Sequence, residues 1–89
     1  MKPNAIIIHE KDNVAVVLED IQQEQPVIIE NREAFETISD ISYSHKVLLE
    51  DVGSGGDIVK YGEVIGQATG ELKKGEWIHT HNMNVIEES

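Results

Sequence analysis

Two histidines near the end of the chain have a spacing that could support metal chemistry. His79 and His81 are separated by one residue, and side chains two apart in a strand share a face, roughly 7 Å apart at Cα. Neutral imidazoles placed this way could bind one divalent ion; the alternative is a pair of polar residues on a solvated strand face. Because a catalytic site normally has three protein ligands, His45, His9 or a group from another chain would have to supply the third.

A second candidate region begins with an adjacent histidine and lysine. His45 and Lys46 precede the apolar run Val47-Leu48-Leu49, and neighbouring side chains in a strand point to opposite faces. Only one of the two can therefore face a given pocket. For Lys46 the alternative to a site role is a solvated surface lysine.

Lys60 and Tyr61 place an ammonium and a phenol beside Gly62, whose missing side chain lets backbone approach a ligand closely. Lys60 could bind a substrate carboxylate, or act as a base if desolvation lowered its pKa. The alternatives are a solvated Lys60 and a Tyr61 that packs in the core with its hydroxyl hydrogen-bonded. Gly62 and Gly66 predict a tight turn and a β-bulge.

The elements that must position these residues are short strands. Apolar runs rich in Val and Ile recur between turn residues, a pattern typical of an all-β domain. The segment 32–41 predicts either one short helical turn, near 32–40, or an irregular strand and loop. The predicted strands cover residues 5–8, 14–18, 27–29, 47–49, 58–61, 64–65 and 77–78.

A short repeat supports this interpretation. Three segments, 21–27, 52–58 and 72–78, begin and end with an apolar residue and have Glu, Gly and Gly, respectively, at the fourth position. Glycine tolerates the positive φ that such a turn requires, so each copy predicts a turn that leads into a strand. Three ordinary hairpin turns explain the repeat as well as a shared ancestral unit does.

Composition and charge limit the classes of function. The 89 residues, 39% of them hydrophobic, suffice for one domain (1–89) with a small core, so a sizeable substrate would bind at an interface. A formal net charge of -10 disfavours nucleic acid and anionic membrane lipid, and it makes the few Lys and His residues the places to bind an anion. The absence of cysteine excludes disulfides and thiolate metal sites, and we expect a soluble cytoplasmic protein.

Four blocks of polar and glycine residues span nearly the whole chain. They are His-Glu-Lys-Asp-Asn-Val-Ala-Val at 9–16, Ser-His-Lys-Val at 44–47, Lys-Tyr-Gly-Glu-Val-Ile-Gly at 60–66 and Gly-Glu-Trp-Ile-His-Thr-His-Asn at 75–82. In this order they resemble the SAF-type domain of the altronate and galactarate dehydratase family, which implies a β-clip fold of twisted hairpins. The chain departs from the family pattern in two turns. Glu24 and Pro26 stand where a Gly-rich turn is more usual, and the turn 53–56 is looser than normal. Because both changes lie in loops, they affect the expected substrate preference and partner fit rather than the expected fold.

The resemblance implies a two-part enzyme. Family members are commonly long single chains that carry this domain in front, so a chain of this length is expected to act with a separate large subunit. The expected activity is metal-dependent dehydration of an anionic sugar acid by a hydro-lyase. The alternatives are the small subunit of a sulfolactate sulfo-lyase, which eliminates sulfite, and a non-catalytic carbohydrate-binding SAF module; whether the chain forms an oligomer stays open.

The expected reaction gives roles to the candidate residues. Dehydration needs a base for the proton α to the carboxylate and an acid or Lewis acid for the departing β-hydroxyl. A divalent metal would stabilise the enediolate; the family favours Fe²⁺, and Mn²⁺ or Mg²⁺ also suit histidine and oxygen ligands. The expected site comprises catalytic His45 and Lys60, substrate-binding Lys46, Tyr61 and Asn82, and metal-binding His79 and His81.

Overall fold

The computed structural model describes residues 2–86, which form nine short antiparallel strands and no helix. The predicted all-β class is therefore confirmed. No helix in this part of the chain is long and apolar enough to cross a membrane. The strands, β1 to β9 in chain order, are Ala5–Ile6, Val14–Val17, Pro26–Val27, Phe35–Glu36, Lys46–Leu48, Asp57–Lys60, Glu63–Ala68, Trp77–Ile78 and Met83–Val85.

A four-stranded sheet in the order β1-β2-β5-β8 forms the centre of the molecule. One of its faces packs against the two-stranded sheet β3-β4, and the other packs against the three-stranded sheet β6-β7-β9. Alternation along β5 puts Val47 in the first core cluster and Leu48 in the second. Both faces of the central strands are buried, which is why the chain reads Val-Ala-Val-Val at 14–17 with no polar residue between the apolar ones.

The segment 32–41 is a strand and loop, so a helical turn near 32–40 is wrong. Phe35–Glu36 pairs with Pro26–Val27. The buried Thr37 exchanges backbone hydrogen bonds with Glu24 and Gln25, and its Oγ1 donates to the carbonyl oxygen of Gln22 at 2.7 Å. These contacts with a distant part of the chain outweigh the weak local helix propensity.

The repeated turns are real, and there are four of them among the described residues. A copy at 41–47 joins those at 21–27, 52–58 and 72–78, and each is closed by an N–H to C=O hydrogen bond of 2.9 to 3.1 Å. The third residue of each four-residue turn has a positive φ, which defines a type II turn. These residues are Glu24 (64°), Ser44 (70°), Gly55 (80°) and Gly75 (92°).

Acidic side chains tie the four turns together in pairs. Isolated bridges join Ile21 to Ile41 and Val52 to Leu72. In the first pair the bonding is reciprocal: Asp40 accepts the backbone N–H of Gln23 at 2.7 Å, and Asp20 accepts that of Tyr43 at 2.8 Å. In the second, Asp51 accepts the N–H of Lys74 at 2.9 Å. Part of the large negative charge therefore has a structural purpose.

Glycine should improve two of these turns. Glu24→Gly and Ser44→Gly should each raise the free energy of unfolding by about 0.5–1 kcal/mol, because an L-residue in the left-handed region is strained by about 1–2 kcal/mol and glycine recovers only part of that after its own entropy cost. Urea unfolding gives the measurement. The matched control is Gln23→Gly in the same turn, where φ is not positive and the change should destabilise. Equal effects at positions 23 and 24 would contradict the strain argument.

Candidate functional site

Four rings gather where β5 begins and β8 ends. The antiparallel register pairs Val47 with Trp77 and Lys46 with Ile78, so His45 and His79 come next to each other, with ring centroids 5.3 Å apart. The Trp77 ring stacks on His79 at 5.5 Å and also contacts His81 at 4.6 Å. We call His45, Trp77, His79 and His81 the imidazole cluster. It unites two of the sequence blocks, 44–47 and 75–82, and its members His45 and Trp77 lie 32 residues apart in the chain.

His79 and His81 do not lie on a strand, so the prediction that strand alternation aligns them is wrong. Strand β8 ends at Ile78, and residues 79–82 form a turn into β9. Asn82 stabilises this turn: its Oδ1 accepts the N–H of His79 at 2.9 Å, and its Nδ2 donates to the Trp77 carbonyl at 2.8 Å. A buried side chain, rather than the pleat of a strand, brings both imidazoles to Trp77.

These contacts bear on Asn82 itself. The side chain is 7% exposed, and its amide nitrogen also donates to Glu76 Oε2 at 3.3 Å. Both ends of the amide are thus engaged within the turn, which supports a positioning role for Asn82. Direct substrate binding by Asn82 stays a prediction.

Lys46 lies on the other face of β5, close enough to Lys60 at the end of β6 for the two charges to influence each other, and we call these two residues the lysine pair. His45 faces Trp77, whereas Lys46 is half-buried near Lys60, so the two neighbours point apart as predicted. Burial lowers the pKa of Lys46, and the charge of Lys60 lowers it further. Lys60 Nζ lies 4.9 Å from the centre of the Tyr61 ring, a cation–π contact.

Tyr61 lies at the tip of the β6-β7 hairpin and is 59% exposed, so the alternative that it packs in the core is wrong. Tyr61 and Gly62 both have positive φ, at 58° and 73°, and Lys60 pairs directly with Glu63. This is a two-residue type I′ turn, which requires positive φ at both central positions. The tight turn predicted at Gly62 is confirmed, as is the bulge near Gly66, where the register shifts opposite Ile58.

A buried carboxylate that sequence analysis does not single out holds this hairpin tip. Asp12 is 7% exposed and accepts three backbone N–H groups: from His9 at 3.1 Å, Tyr61 at 3.2 Å and Gly62 at 2.8 Å. The His9 ring packs against Gly62, since a Cβ there would come within 2.9 Å of it. Asp12 therefore joins the first sequence block to the third. In the sequence, its position three residues after His9 was the feature that could have indicated this role.

Removing the Asp12 carboxylate should loosen the hairpin tip. Asp12→Ala leaves three backbone donors without their acceptor and should lower the free energy of unfolding by about 3 kcal/mol. Asp12→Asn keeps one acceptor oxygen and should cost less. Chemical denaturation compares the two variants with the unmodified chain. A loss below about 0.5 kcal/mol for Asp12→Ala, the size of an ordinary surface change, would contradict the proposed anchoring.

The described part of the chain does not build a complete metal site. Among residues 2–86, no group of three or more His, Cys, Asp or Glu side chains is arranged to hold an ion. His45 Nδ1 accepts a hydrogen bond from Trp77, and His9 packs on Gly62, so neither supplies a third ligand beside His79 and His81. The two exposed imidazoles fit as part of a ligand set, and metal binding by them stays a prediction.

Of the predicted site residues, Tyr61, His79 and His81 are exposed, His45, Lys46 and Lys60 are half-buried, and Asn82 is buried. Two depressions of ≈ 300 and ≈ 360 Å³ lie elsewhere, one along β1 beside Ile6 and Leu18 and one beside Asp20 and Gln22. Neither is lined by a residue of the imidazole cluster or the lysine pair. A substrate enclosed at these side chains would need walls from another part of an enzyme.

Comparison with known proteins identifies the family of this chain. Residues 3–85 match the family described as the altronate/galactarate dehydratase SAF domain. The chain belongs to this family. The SAF domain is 36% identical over 77 residues to altronate dehydratase of Escherichia coli (strain K12), and 39% identical over 77 residues to that of Bacillus subtilis (strain 168). Each match covers 86% of this chain and 15% of the relative.

A third relative is short. The (2R)-sulfolactate sulfo-lyase subunit alpha of Paracoccus pantotrophus is 41% identical over 44 residues, which is 49% of this chain and 66% of the relative. The SAF domain thus spans about 15% of the length of its dehydratase relatives, whereas the third match covers 66% of the sulfo-lyase subunit alpha. The relatives are lyases, and the resemblance predicted from the four sequence blocks is confirmed.

Proposed function

We propose that this SAF domain is the small subunit of a metal-dependent sugar-acid dehydratase of the altronate or galactarate type, and that it acts with a separate large subunit. The observation that carries the proposal is the convergence of the family's polar blocks at one end of β5. The imidazole cluster lies on one face and the lysine pair on the other, and the two depressions include neither, so a substrate that meets both groups would lie across the exposed end of β5. This arrangement supplies part of an active site.

The lysine pair suits an anionic substrate. In a chain of net charge -10, an acid would be repelled except where cations are concentrated. The one ion pair among residues 2–86 joins Lys73 to Asp51 at 3.9 Å, so no carboxylate of this part of the chain neutralises Lys46 or Lys60. A cationic side chain without a carboxylate partner attracts the carboxylate of a substrate.

We propose Lys46 rather than Lys60 as the base, which exchanges the roles expected from the sequence. Lys46 is half-buried on a central strand, and burial together with Lys60 lowers its pKa. A base must be able to lose its proton near the working pH, and a lowered pKa makes that easier. Lys60, with its ammonium held over the Tyr61 ring, would orient the substrate carboxylate. Lys46 would then remove the proton α to that carboxylate.

His79 and His81 would hold a divalent ion together with ligands from the large subunit, and the ion would stabilise the enediolate and the departing hydroxyl. Within this chain, Trp77 and Asn82 keep both imidazoles at the exposed turn. Their exposure matters because the remaining ligands must approach from outside. Fe²⁺ is the expected ion, with Mn²⁺ and Mg²⁺ as alternatives compatible with histidine and oxygen ligands.

A second candidate is the small subunit of a sulfo-lyase, supported by the similarity to the sulfolactate sulfo-lyase subunit alpha, itself a separate short chain. The purified two-subunit enzyme distinguishes the two when supplied with altronate, galactarate and sulfolactate in turn. Formation of a 2-keto acid from either sugar acid supports the dehydratase. Release of sulfite from sulfolactate alone would favour the second candidate.

A non-catalytic carbohydrate-binding module is less compatible with the site. Sugar-binding surfaces use open aromatic rings as platforms, and Trp77 is the one tryptophan of the chain. The Trp77 ring contacts His79 and His81 and is hydrogen-bonded to His45, and the exposed Tyr61 ring carries the Lys60 ammonium over one face, so both rings already have partners within the chain. Saturable sugar binding without elimination in any subunit combination would support this module instead.

A further inference from the structure

One hydrogen bond within the imidazole cluster fixes the chemistry of His45. The indole Nε1–H of Trp77 donates to His45 Nδ1 at 2.9 Å. An indole nitrogen can only donate, so His45 Nδ1 must offer a lone pair. A neutral imidazole carries one proton on its two nitrogens, and that proton must then be on Nε2. His45 is thereby a hydrogen-bond donor at the nitrogen that is free to meet a ligand.

Both partners of this bond are held by the fold. His45 lies at the end of the type II turn that leads into β5; its N–H donates to Ser42 and its carbonyl accepts from Val17, each at 3.0 Å. Trp77 is in β8, and its backbone N–H donates to Ser39 Oγ at 3.3 Å. The two rings are 5.7 Å apart and tilted by 41°, which is compatible with a bond in the plane of the imidazole lone pair.

We propose that Trp77 is a positioning residue that locks His45 as an Nε2–H donor, and that His45 binds an anionic oxygen of the substrate rather than a metal ion. A metal at Nε2 would need a lone pair there, which would move the proton to Nδ1 and break the bond from Trp77. The histidines of the cluster therefore have different roles: His79 and His81 have lone pairs available for a metal ion, whereas His45 offers an N–H donor. The part of this inference that concerns the substrate rests on the proposed function.

The lock is tested in the chain alone, without any assay of activity. In ¹⁵N-labelled protein at about pH 8, where an ordinary imidazole is neutral, His45 should show only the Nε2–H tautomer, and a ¹⁵N–¹⁵N coupling across the hydrogen bond should join its Nδ1 to Trp77 Nε1. Trp77→Phe keeps a ring but removes the donor, and His45 should then become a mixture of tautomers. An Nδ1–H tautomer in the unmodified chain, or no change in Trp77→Phe, would overturn the lock.

Zinc binding by the unmodified chain provides a second test, which does not depend on whether Trp77→Phe folds. Added to the unmodified chain, Zn²⁺ should leave the His45 tautomer unchanged, with the proton on Nε2 and Nδ1 still bonded to Trp77. Coordination of Zn²⁺ through His45 Nε2 would overturn the proposal.

The role toward substrate is tested in the assembled enzyme. Trp77→Phe should reduce kcat/KM about tenfold, the effect of one lost hydrogen bond of ordinary strength. His45→Gln places an amide N–H near the position of Nε2 and should retain more substrate affinity than His45→Ala. Equal KM values for Gln, Ala and the unmodified enzyme would refute substrate binding by His45 while leaving the tautomer result, and the assignment of the enzyme class, untouched.

Discussion

Replacing Lys46 with Met in the assembled enzyme should lower kcat by a factor of about 10² to 10⁴, the range typical of losing a positioned general base. The reason is the position of the amine. Lys46 is half-buried on a central strand beside Lys60, and both burial and the neighbouring charge lower its pKa, so it loses its proton more readily than a surface lysine. The measurement is the steady-state rate of 2-keto acid formation.

Two control variants separate a base from a simple cation. Lys46→Arg keeps the positive charge but does not deprotonate, so it should be as inactive as Lys46→Met if Lys46 is the base. Lys60→Met should mainly raise KM, because Lys60 is expected to hold the substrate carboxylate. Recovery of activity in Lys46→Arg would show that charge alone matters. A larger loss of kcat in Lys60→Met would restore the roles expected from the sequence.

The lowered pKa of Lys46 also makes stability depend on pH. Between the folded pKa and the ordinary value of 10.5, the unfolded chain binds more protons than the folded chain, so stability rises with pH across that window. Below the folded pKa the buried ammonium carries its full penalty. Lys46→Met should therefore be the more stable protein at neutral pH, and its advantage should shrink as the pH approaches 10.5. An advantage that grows with pH would contradict the direction of the shift.

Replacing His79 or His81 with Ala should reduce turnover of the assembled enzyme by a factor of about 100 or more, while subunit association persists. Both side chains are exposed in a turn that Asn82 holds through backbone groups, so the fold does not depend on either imidazole. The loss of contact with Trp77 should change the free energy of unfolding by less than about 1 kcal/mol. Rates and unfolding curves measured on the same preparations separate the two effects.

Phenylalanine at the same positions tests whether nitrogen or stacking matters. His79→Phe and His81→Phe can still pack on Trp77 but offer no lone pair, so they should be as inactive as the Ala variants. Thr80→Val is the matched control in the same exposed turn and should leave turnover nearly unchanged. If both Ala variants assemble and keep near-normal turnover, the pair consists of solvated turn residues and the site assignment is wrong.

Much of the fold could be predicted because buried short strands have a recognisable pattern of apolar residues in the sequence. The run Val14–Val17 lacks polar residues since both faces of β2 are covered, and such a run predicts a fully buried strand. The repeat at 41–47 was missed although it has the same apolar ends, Ile41 and Val47, and, like the predicted copy at 21–27, a residue other than glycine at the left-handed position. The segment 32–40 was ambiguous because its structure depends on hydrogen bonds to residues 22–25, which no local pattern contains.

The residues of the site were easier to predict than their arrangement. His45, Lys46 and Lys60 could be singled out by type, and strand alternation correctly separates the first two. The turn at 79–82 could not be foreseen, because it depends on the side chain of Asn82 bonding back to Trp77. The bond from Trp77 to His45 spans 32 residues and follows from the register of β5 and β8, which the sequence does not state.

One activity measurement shows whether this chain contributes only part of an active site and needs a catalytic partner. The purified chain, with Fe²⁺, Mn²⁺ or Mg²⁺ supplied, is incubated with altronate, galactarate and sulfolactate, alone and after co-purification with a large lyase subunit. We expect no 2-keto acid and no sulfite from the chain alone, and sustained product formation from the two-subunit enzyme. Full turnover by the isolated chain would contradict the account.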